Sequence, residues 1–405
     1  MVVMRKAAFV AVAALAGALT PGAAVAAPGV NCAPPGESEV AASWARSVLR
    51  ADALGTVADG SGVRVAVLST GADAGQPLLR QRVLNGVDAV DGGFANDDCT
   101  GTGTQVAGVI VGRPGDAGMA GLAPNSRVLP IRVQLDDPLG SEADPDALAR
   151  GINQAAGNGA DVVVVVSPVY RDDTDLANAV EAAIDQGVVV VAAAGDQGGA
   201  DEGNPTPYPA AYRDVIGVGA IDQNGRIWPD SQRGDFVDLV APGVAVPTPQ
   251  TGRGLVEVSG TGVAAGFVGA AAALVHDRRP NLSAREVGRL LTGTAGPAPA
   301  GPAFGAGVVD PYAAITSQLV PAERRALPGV EAVPPPDTAA EGRRRAYALS
   351  GAGVAGVLVV MVIVMAAAMR RSRRQRWRPG TASVLPVREE PLEPGPPVML
   401  LDERR

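Results

Sequence analysis

The sequence is poor in the residue types that bind metals or ionise near neutral pH. Its 405 residues include one histidine, two cysteines and one lysine, and 3% are aromatic. One histidine supports at most one histidine-centred acid–base device and excludes a metal site built from several histidines. Two cysteines exclude a zinc ribbon, an iron–sulfur centre and a disulfide-dense scaffold. A formal net charge of −8 argues against nucleic-acid binding, so we predict no metal, no cofactor and no nucleic-acid partner.

Two apolar segments lie near the ends of the chain. In residues 1–27, Arg5 and Lys6 precede an apolar run that ends at Pro21, which is the pattern of a secretory signal peptide. An uncleaved membrane anchor is the alternative, but the run is short for one. Residues 346–369 carry no charge and are long enough to span a bilayer as a transmembrane helix.

The arginines on either side of the second segment predict its orientation. Arginines occupy 343–345, and a larger cluster follows within 370–378. The positive-inside rule then places residues 370–405 in the cytoplasm and the preceding domain outside. The cluster is typical of a stop-transfer signal, and it can also contact anionic membrane lipid. We therefore expect a single-pass protein of the cell membrane.

Composition divides the rest of the chain. Residues 28–43 form an N-terminal arm, and 44–317 form one exported domain. Residues 318–345 contain three consecutive prolines without hydrophobic periodicity, which is typical of a tether. The tail at 370–405 is basic and rich in proline.

Short β-branched runs alternate with helical patterns in the exported domain. Near-continuous apolar strands joined by helices indicate an α/β fold with a doubly wound parallel sheet and helices on both faces. The predicted strands are 63–68, 127–133, 161–167, 188–194 and 215–220, and the predicted helices are 102–111, 145–156, 173–186, 262–277 and one that Ser283 caps with Glu286.

Four blocks resemble the signature blocks of the subtilisin family of serine peptidases, in the same order and at matching separations. Residues 65–71 resemble the block that ends Asp-Thr-Gly, and 101–108 resemble Gly-His-Gly-Thr-x-Val-Ala-Gly. Residues 260–266 resemble Gly-Thr-Ser-x-Ala-Ala-Pro, and 192–196 resemble the strand end that carries the oxyanion asparagine. The resemblance covers roughly residues 44–317 and implies a subtilisin-like fold.

Further features narrow the resemblance to the mycosins, the membrane-anchored subtilases of actinobacterial type VII secretion systems. The features are Cys32 before two prolines, Cys99 after two aspartates, the segments 121–124, 237–243 and 307–311, the proline-rich tether and the C-terminal span. This resemblance implies type VII secretion membrane components as partners. It also implies a complex-stabilising role that is separate from proteolysis.

The residues at the catalytic positions of the family have changed. Ser69 stands at the aspartate position, Thr102 at the histidine position and Gly262 at the serine position. Glycine has no nucleophile, threonine does not accept a proton near neutral pH, and serine has no charge to orient an imidazole. Asp196 stands at the oxyanion position, where a carboxylate repels a developing negative charge. The sequence therefore predicts a pseudopeptidase.

No other residue is expected to replace the lost groups. His276 lies 14 residues after Gly262, about 21 Å along a helix and out of reach of a nucleophile there. We expect it to be exposed near the helix C-terminus, where a positive charge suits the dipole. Ser259 lacks a base to activate it, and Asp73 is expected to be a solvated turn residue.

The two cysteines and the acidic pairs are assigned structural roles. In an exported domain, Cys32 and Cys99 are expected to form a disulfide, with two buried free thiols as the alternative. The acidic pairs at 97–98, 136–137 and 172–173 are expected to be solvated loops, because none has the dense spacing of a calcium-binding loop.

Three functions remain open. The first is a catalytically inactive, mycosin-like structural component of a type VII secretion complex. The second is an active subtilisin-like endopeptidase with a non-standard site. The third is a peptide-binding module that holds a peptide in the former substrate cleft by β-augmentation.

Overall fold

The computed structural model describes residues 32–37, 43–113, 120–135, 143–199, 203–317 and 338–374. The predicted signal peptide, the tail after 374 and the acidic pair at 136–137 lie outside the described residues. The chain divides into two units, Met1–Glu323 and Arg324–Arg405.

A seven-stranded parallel sheet forms the centre of the first unit, in the order β2-β3-β1-β4-β5-β6-β7. Its strands are β1 (Arg64–Ser69), β2 (Val87–Asp88), β3 (Arg127–Arg132), β4 (Val162–Val165), β5 (Val189–Ala193), β6 (Ile216–Ile221) and β7 (Leu239–Pro242). An antiparallel pair, β8 (Val246–Pro249) and β9 (Leu255–Val258), lies outside this sheet. The predicted parallel sheet is confirmed.

The helices are α1 (Trp44–Val48), α2 (Ala51–Leu54), α3 (Thr102–Val111), α4 (Pro145–Gly157), α5 (Thr174–Asp185), α6 (Thr261–Arg278), α7 (Ala284–Gly293), α8 (Pro311–Thr316) and α9 (Thr338–Arg374). The predicted capping box of α7 is present, with reciprocal hydrogen bonds between Ser283 and Glu286. This cap satisfies donors that the first turn of a helix otherwise leaves unpaired.

The glycines of two helices show that both faces of the sheet are covered. A Cβ on Gly269 of α6 would lie 2.3 Å from Val164, and one on Gly151 of α4 would lie 3.3 Å from Leu68. Val164 pairs with Val67, the residue before Leu68. Because successive strand residues point to opposite faces, α4 and α6 lie on opposite sides of the sheet. This explains why β4 is a run of valines that is buried throughout.

The N-terminal arm is fixed to the domain by the disulfide between Cys32 and Cys99, as predicted. Ala33 donates a backbone hydrogen bond to the Cys99 carbonyl (2.8 Å). Glu37 then exchanges two backbone hydrogen bonds with Leu255 of β9, at 2.8 and 2.7 Å. The arm therefore lies along the outer edge of the β8–β9 pair.

The second unit contains the long helix α9. Its segment Gly342–Arg374 has a mean hydropathy of 2.6 over its most apolar window, which makes it a candidate membrane span. The helix includes residues 338–345, which the sequence assigns to the tether. The arginines at 343–345 are good helix formers, and the helix includes them on the N-terminal side of the apolar stretch.

Candidate active-site cleft

A cleft of about 360 Å³ lies beyond the carboxyl ends of β4 and β5, at the start of α6. Ligands of open α/β sheets characteristically bind in this position. Three of the predicted site residues, Thr102, Asp196 and Gly262, line the cleft. The fourth, Ser69, lies at the end of β1 and is fully buried. The four blocks of sequence therefore converge on one region.

Val166 fills the space beside Gly262. A Cβ atom on Gly262 would lie 2.6 Å from Val166 Cγ1 and 3.2 Å from the Val166 carbonyl oxygen. Real Cβ atoms do not approach other heavy atoms to 2.6 Å, so any side chain at this position requires Val166 to move. Position 262, which the family resemblance assigns to the nucleophile, therefore has no room for a side chain while Val166 stays in place.

Asp196 occupies the N-terminus of α6. Its Oδ1 accepts hydrogen bonds from the backbone N–H (2.8 Å) and the hydroxyl (2.6 Å) of Thr261. A carboxylate is favoured here because the N-terminal end of an 18-residue helix carries a partial positive charge. The Asp196 carboxylate therefore lies where the family resemblance places the substrate oxyanion.

Ser69 and Thr102 are the residues that the family resemblance assigns to the aspartate and histidine positions. Ser69 Oγ is buried and has no hydrogen-bond partner among the described residues. Its Cβ is 3.3 Å from the point that a Cβ on Gly103 would occupy, which places it against the first turn of α3. Thr102 begins that helix after Gly101, whose φ of 93° suits glycine. Neither residue provides the charge or the base that the triad requires.

Asp98 is buried, and the expectation that it lies in a solvated loop is wrong. Only 4% of Asp98 is exposed. Its carboxylate accepts hydrogen bonds from the hydroxyls of Thr70 (2.8 Å) and Thr104 (2.7 Å) and from the backbone N–H groups of Gly101 (2.9 Å) and Thr104 (2.8 Å). Asp98 therefore organises the start of α3.

The other member of this pair, Asp97, is exposed and forms an ion pair with Arg132 (2.8 Å). Arg132 also pairs with the buried Asp88 (2.8 Å). Burial lowers the pKa of Arg132, but the hydrogen bonds that Arg132 donates to Asp97 and Asp88 outweigh this effect and raise that pKa above its ordinary value. The arginine therefore stays charged and holds the loop before α3.

The pair at 172–173 also has a structural role. Asp173 caps α5 by accepting hydrogen bonds from the N–H groups of Asp175 and Leu176, both at 3.0 Å. Asp172 accepts a hydrogen bond from the Tyr212 hydroxyl (3.0 Å). Burial, followed by this hydrogen bond, raises the pKa of Tyr212 to about 12. Within the described part of the chain, no cluster of histidine, cysteine and acidic residues is suited to hold a metal ion.

His276 lies near the C-terminus of α6, as predicted, but the expectation of an exposed, charged side chain is wrong. The residue is only partly exposed, and its Nε2 is buried with no hydrogen-bond partner among the described residues. Burial lowers the pKa of His276, and the negative charge of Asp161 only partly opposes this. The packing of the helix end thus favours the neutral imidazole.

Ser259 and Asp73 serve the local backbone. Ser259 Oγ accepts a hydrogen bond from the Ala245 N–H (3.0 Å) at the edge of the cleft. Asp73 is half-buried and accepts hydrogen bonds from the N–H groups of Gly75 (2.8 Å) and Gly252 (2.6 Å). Asp73 is therefore a turn residue, as expected, but it also links two loops.

The aromatic and acidic side chains that line the cleft include three that were not predicted as site residues: Tyr170, Trp228 and Glu257. Trp228 and Glu257 follow none of the signature blocks and come from distant parts of the chain, so no local pattern connects them. Trp228 has one sequence signal, the rarity of tryptophan, since three occur in the chain, and Glu257 has none.

The edge that follows β4 offers little to an extended peptide. Pro168 has no N–H to donate. The N–H and carbonyl of Val169 are both bonded to Tyr208, at 2.8 and 2.7 Å. The N–H of Val166 is bonded to the Leu68 carbonyl (3.2 Å). β-Augmentation requires a row of unpaired backbone groups, and this edge has few of them.

Known proteins share this architecture. The subtilase family (Peptidase_S8) matches residues 60–317. The chain is 39% identical to a thermophilic serine proteinase from Bacillus sp. (strain AK1), over 56% of this chain and 55% of that relative, so it spans about half the relative's length. It is 32% identical to mycosin-1 from Mycobacterium tuberculosis (strain ATCC 25618 / H37Rv), over 72% of this chain and 77% of mycosin-1. The crystal structure of MycP1 from the ESX-1 type VII secretion system superposes with a TM-score of 0.64 at 30% identity, covering 74% of this chain and 93% of MycP1.

Proposed function

Since the chain belongs to the subtilase family and is mycosin-like, we propose that it is catalytically inactive and acts as a structural component of a type VII secretion complex. The observation that carries the first part is the contact between Val166 and Gly262. The nucleophile position has no side chain, and Val166 stands 2.6 Å from where one would begin. Covalent catalysis by a serine therefore has no atom with which to start.

The neighbouring groups support inactivity. A nucleophile needs a base within hydrogen-bond reach, and a histidine at the end of α6 does not reach its beginning. His276 is partly buried at the far end of α6, and this burial lowers its pKa. The lowered pKa is therefore no sign of a catalytic base in the cleft. Asp196 places a carboxylate where an oxyanion would need donors, and losing even one such donor costs about 2.7–4 kcal/mol in an active enzyme.

The structural role is supported by what the chain retains. The exported domain keeps its complete sheet, and a disulfide ties the N-terminal arm to it. Helix α9 is long and apolar enough to anchor the domain to the cell membrane. MycP1, which has a similar structure, comes from the ESX-1 type VII secretion system. We infer the same kind of setting here, with the domain outside the membrane and the basic tail in the cytoplasm.

Inactivity is tested by labelling the detergent-solubilised full chain with a fluorescent, serine-reactive phosphonate, beside an active subtilase as the positive control. We expect no stoichiometric labelling, because the single histidine of the chain lies at the opposite end of α6 from the cleft. The Ser259→Ala chain is the matched control for a cleft-lining serine that lies three residues before Gly262 in the sequence. Stoichiometric labelling of any serine in the folded chain would overturn the proposal.

The structural role is tested by purifying the secretion complex from cells with and without this chain. We expect a smaller complex or a lower yield when the chain is absent. Complementation with either the wild-type or the Ser259→Ala chain should restore both equally, because no serine chemistry is involved. Unchanged size and yield in its absence would contradict the structural role without bearing on inactivity.

A further inference from the structure

The charged groups in the cleft have one sign. Among the described residues that line it, Asp196 and Glu257 are carboxylates, and there is no arginine, lysine or histidine. The two acids come from different walls, because Asp196 follows β5 and Glu257 belongs to β9. A cleft lined by one sign of charge concentrates ions of the opposite sign. Its electrostatics therefore favour a cationic ligand and disfavour an anionic one.

Asp196 is held in a fixed orientation. Its Oδ1 accepts two hydrogen bonds from Thr261, a residue that is 1% exposed. The Thr261 hydroxyl in turn accepts a hydrogen bond from the Gly195 N–H (3.0 Å). Because these donors belong to the rigid start of α6, the carboxylate does not need to reorganise when a ligand arrives. Such preorganisation reduces the cost of binding.

Two aromatic residues, Tyr170 and Trp228, line the same cleft. Aromatic faces attract organic cations, and tryptophan does so most strongly. The volume of about 360 Å³ lies in the range of small-molecule sites and is far larger than a bare metal ion requires. Aromatic walls, fixed carboxylates and this volume together fit a guanidinium or ammonium group on a carbon skeleton.

We propose that the cleft is a binding site for an organic cation, which pairs with Asp196 and Glu257 and packs against Trp228 or Tyr170. The guanidinium or ammonium group can belong to a free amine or to an arginine or lysine side chain of a protein. Since Pro168 and Val169 offer few backbone groups for strand pairing, a side chain enters end-on instead of as part of an added strand. The site does not depend on the proposed role in a secretion complex.

The experiment compares benzamidinium with benzamide, which have nearly the same shape and differ in charge. Binding to the detergent-solubilised full chain is measured by isothermal titration calorimetry and by tryptophan fluorescence. We expect benzamidinium to bind at least about tenfold more tightly, since a charge-assisted hydrogen bond is about twice as strong as a neutral one. Its affinity should fall as sodium chloride is raised. The Trp228→Phe chain should lose the fluorescence response if the ligand lies in the cleft.

Two variants test the carboxylates, and one serves as the control. Asp196→Asn keeps an oxygen acceptor for Thr261, and Glu257→Gln changes an exposed side chain. We therefore expect both variants to fold, and thermal unfolding checks this. We expect each to weaken benzamidinium binding by about three- to tenfold or more. Asp175→Asn makes the same charge change on the exposed side of α5, outside the cleft, and should leave binding unchanged.

Titration with N-acetylarginine amide and with spermidine then distinguishes the two sources of the cation. Saturable binding of the first that Asp196→Asn weakens indicates a protein side chain, and the same behaviour of the second indicates a free polyamine. Equal affinity for benzamide and benzamidinium would overturn the proposal. So would unchanged benzamidinium binding in both folded carboxylate variants. Neither result bears on the secretion complex, because no other component is present.

Discussion

Val166 Cγ1 lies 2.6 Å from the position that a Cβ atom on Gly262 would take. The two residues are therefore complementary in shape, and Gly262→Ser should overpack the site. We expect it to lower the free energy of unfolding by about 1–3 kcal/mol, because a stiff β-branched side chain must shift. Urea denaturation of the detergent-solubilised chain, followed by circular dichroism, measures this loss.

A double-mutant cycle with Val166→Ala separates this contact from general effects of the serine. The Gly262→Ser change should cost little in the Val166→Ala background, giving a coupling energy of about 0.5–3 kcal/mol. Additive costs would show that the Val166 side chain does not restrict position 262. The proposed inactivity predicts that the paired variant also cleaves no peptide substrate, because Ser69 and Thr102 supply neither an orienting acid nor a base.

The buried hydroxyl of Ser69 gives a second prediction. Its oxygen has no hydrogen-bond partner among the described residues, so removing it relieves an unsatisfied polar group. We expect Ser69→Ala to leave stability unchanged or to raise the free energy of unfolding by about 1–2 kcal/mol. The same urea titration tests this, with Ser126→Ala as the control, because Ser126 is equally buried but donates to the Gly60 carbonyl (2.9 Å). A loss in Ser69→Ala as large as in the control would mean that the Ser69 hydroxyl is satisfied.

The fold could be predicted from sequence because its signals are local. The four valines of β4 follow from burial on both faces, and the capping box of Ser283 and Glu286 marks the start of α7 to the residue. The proximity of Thr102, Asp196 and Gly262 could also be predicted, since they stand within recognisable blocks, and the three residues line one cleft.

The remaining features depend on contacts between distant residues. The burial of Asp98 depends on Thr70, which lies 28 residues earlier in the chain. Asp196 is oriented by Thr261, which lies 65 residues later. Neither an acidic pair nor an apolar helix indicates by itself which neighbours the fold will supply. The local reasoning that assigned solvated loops and an exposed helix end therefore failed at Asp98 and His276.

Asp98 should be among the polar residues on which stability depends most. Its carboxylate accepts hydrogen bonds from Gly101 and from both the N–H and the hydroxyl of Thr104. Asp98→Ala leaves these donors buried without a partner, so we expect a loss of about 3–5 kcal/mol in the free energy of unfolding. Asp97→Ala is the matched control, because its exposed side chain should contribute less than about 1 kcal/mol. Equal losses in the two variants would contradict the structural role of Asp98.

His276 makes the free energy of unfolding depend on pH, and a single substitution removes this contribution. Burial lowers the pKa of His276 in the folded state below its ordinary value near 6.5, against the opposing effect of Asp161. The unfolded chain therefore binds the proton first, and stability falls as the pH is lowered below about 6.5 until the folded-state pKa is passed. One histidine gives a slope of at most about 1.4 kcal/mol per pH unit. Toward pH 8 the imidazole becomes neutral in both states and its contribution to the slope vanishes.

The measurement is urea denaturation of the full chain between pH 5 and 8, in parallel with His276→Gln, which keeps a polar side chain of similar length that does not titrate. Because the chain has a single histidine, the difference between the two curves belongs to this residue alone. We expect the difference to level off toward pH 8 and to shift in favour of the Gln variant as the pH falls. Parallel curves across the whole range would show that His276 titrates alike in the folded and unfolded states.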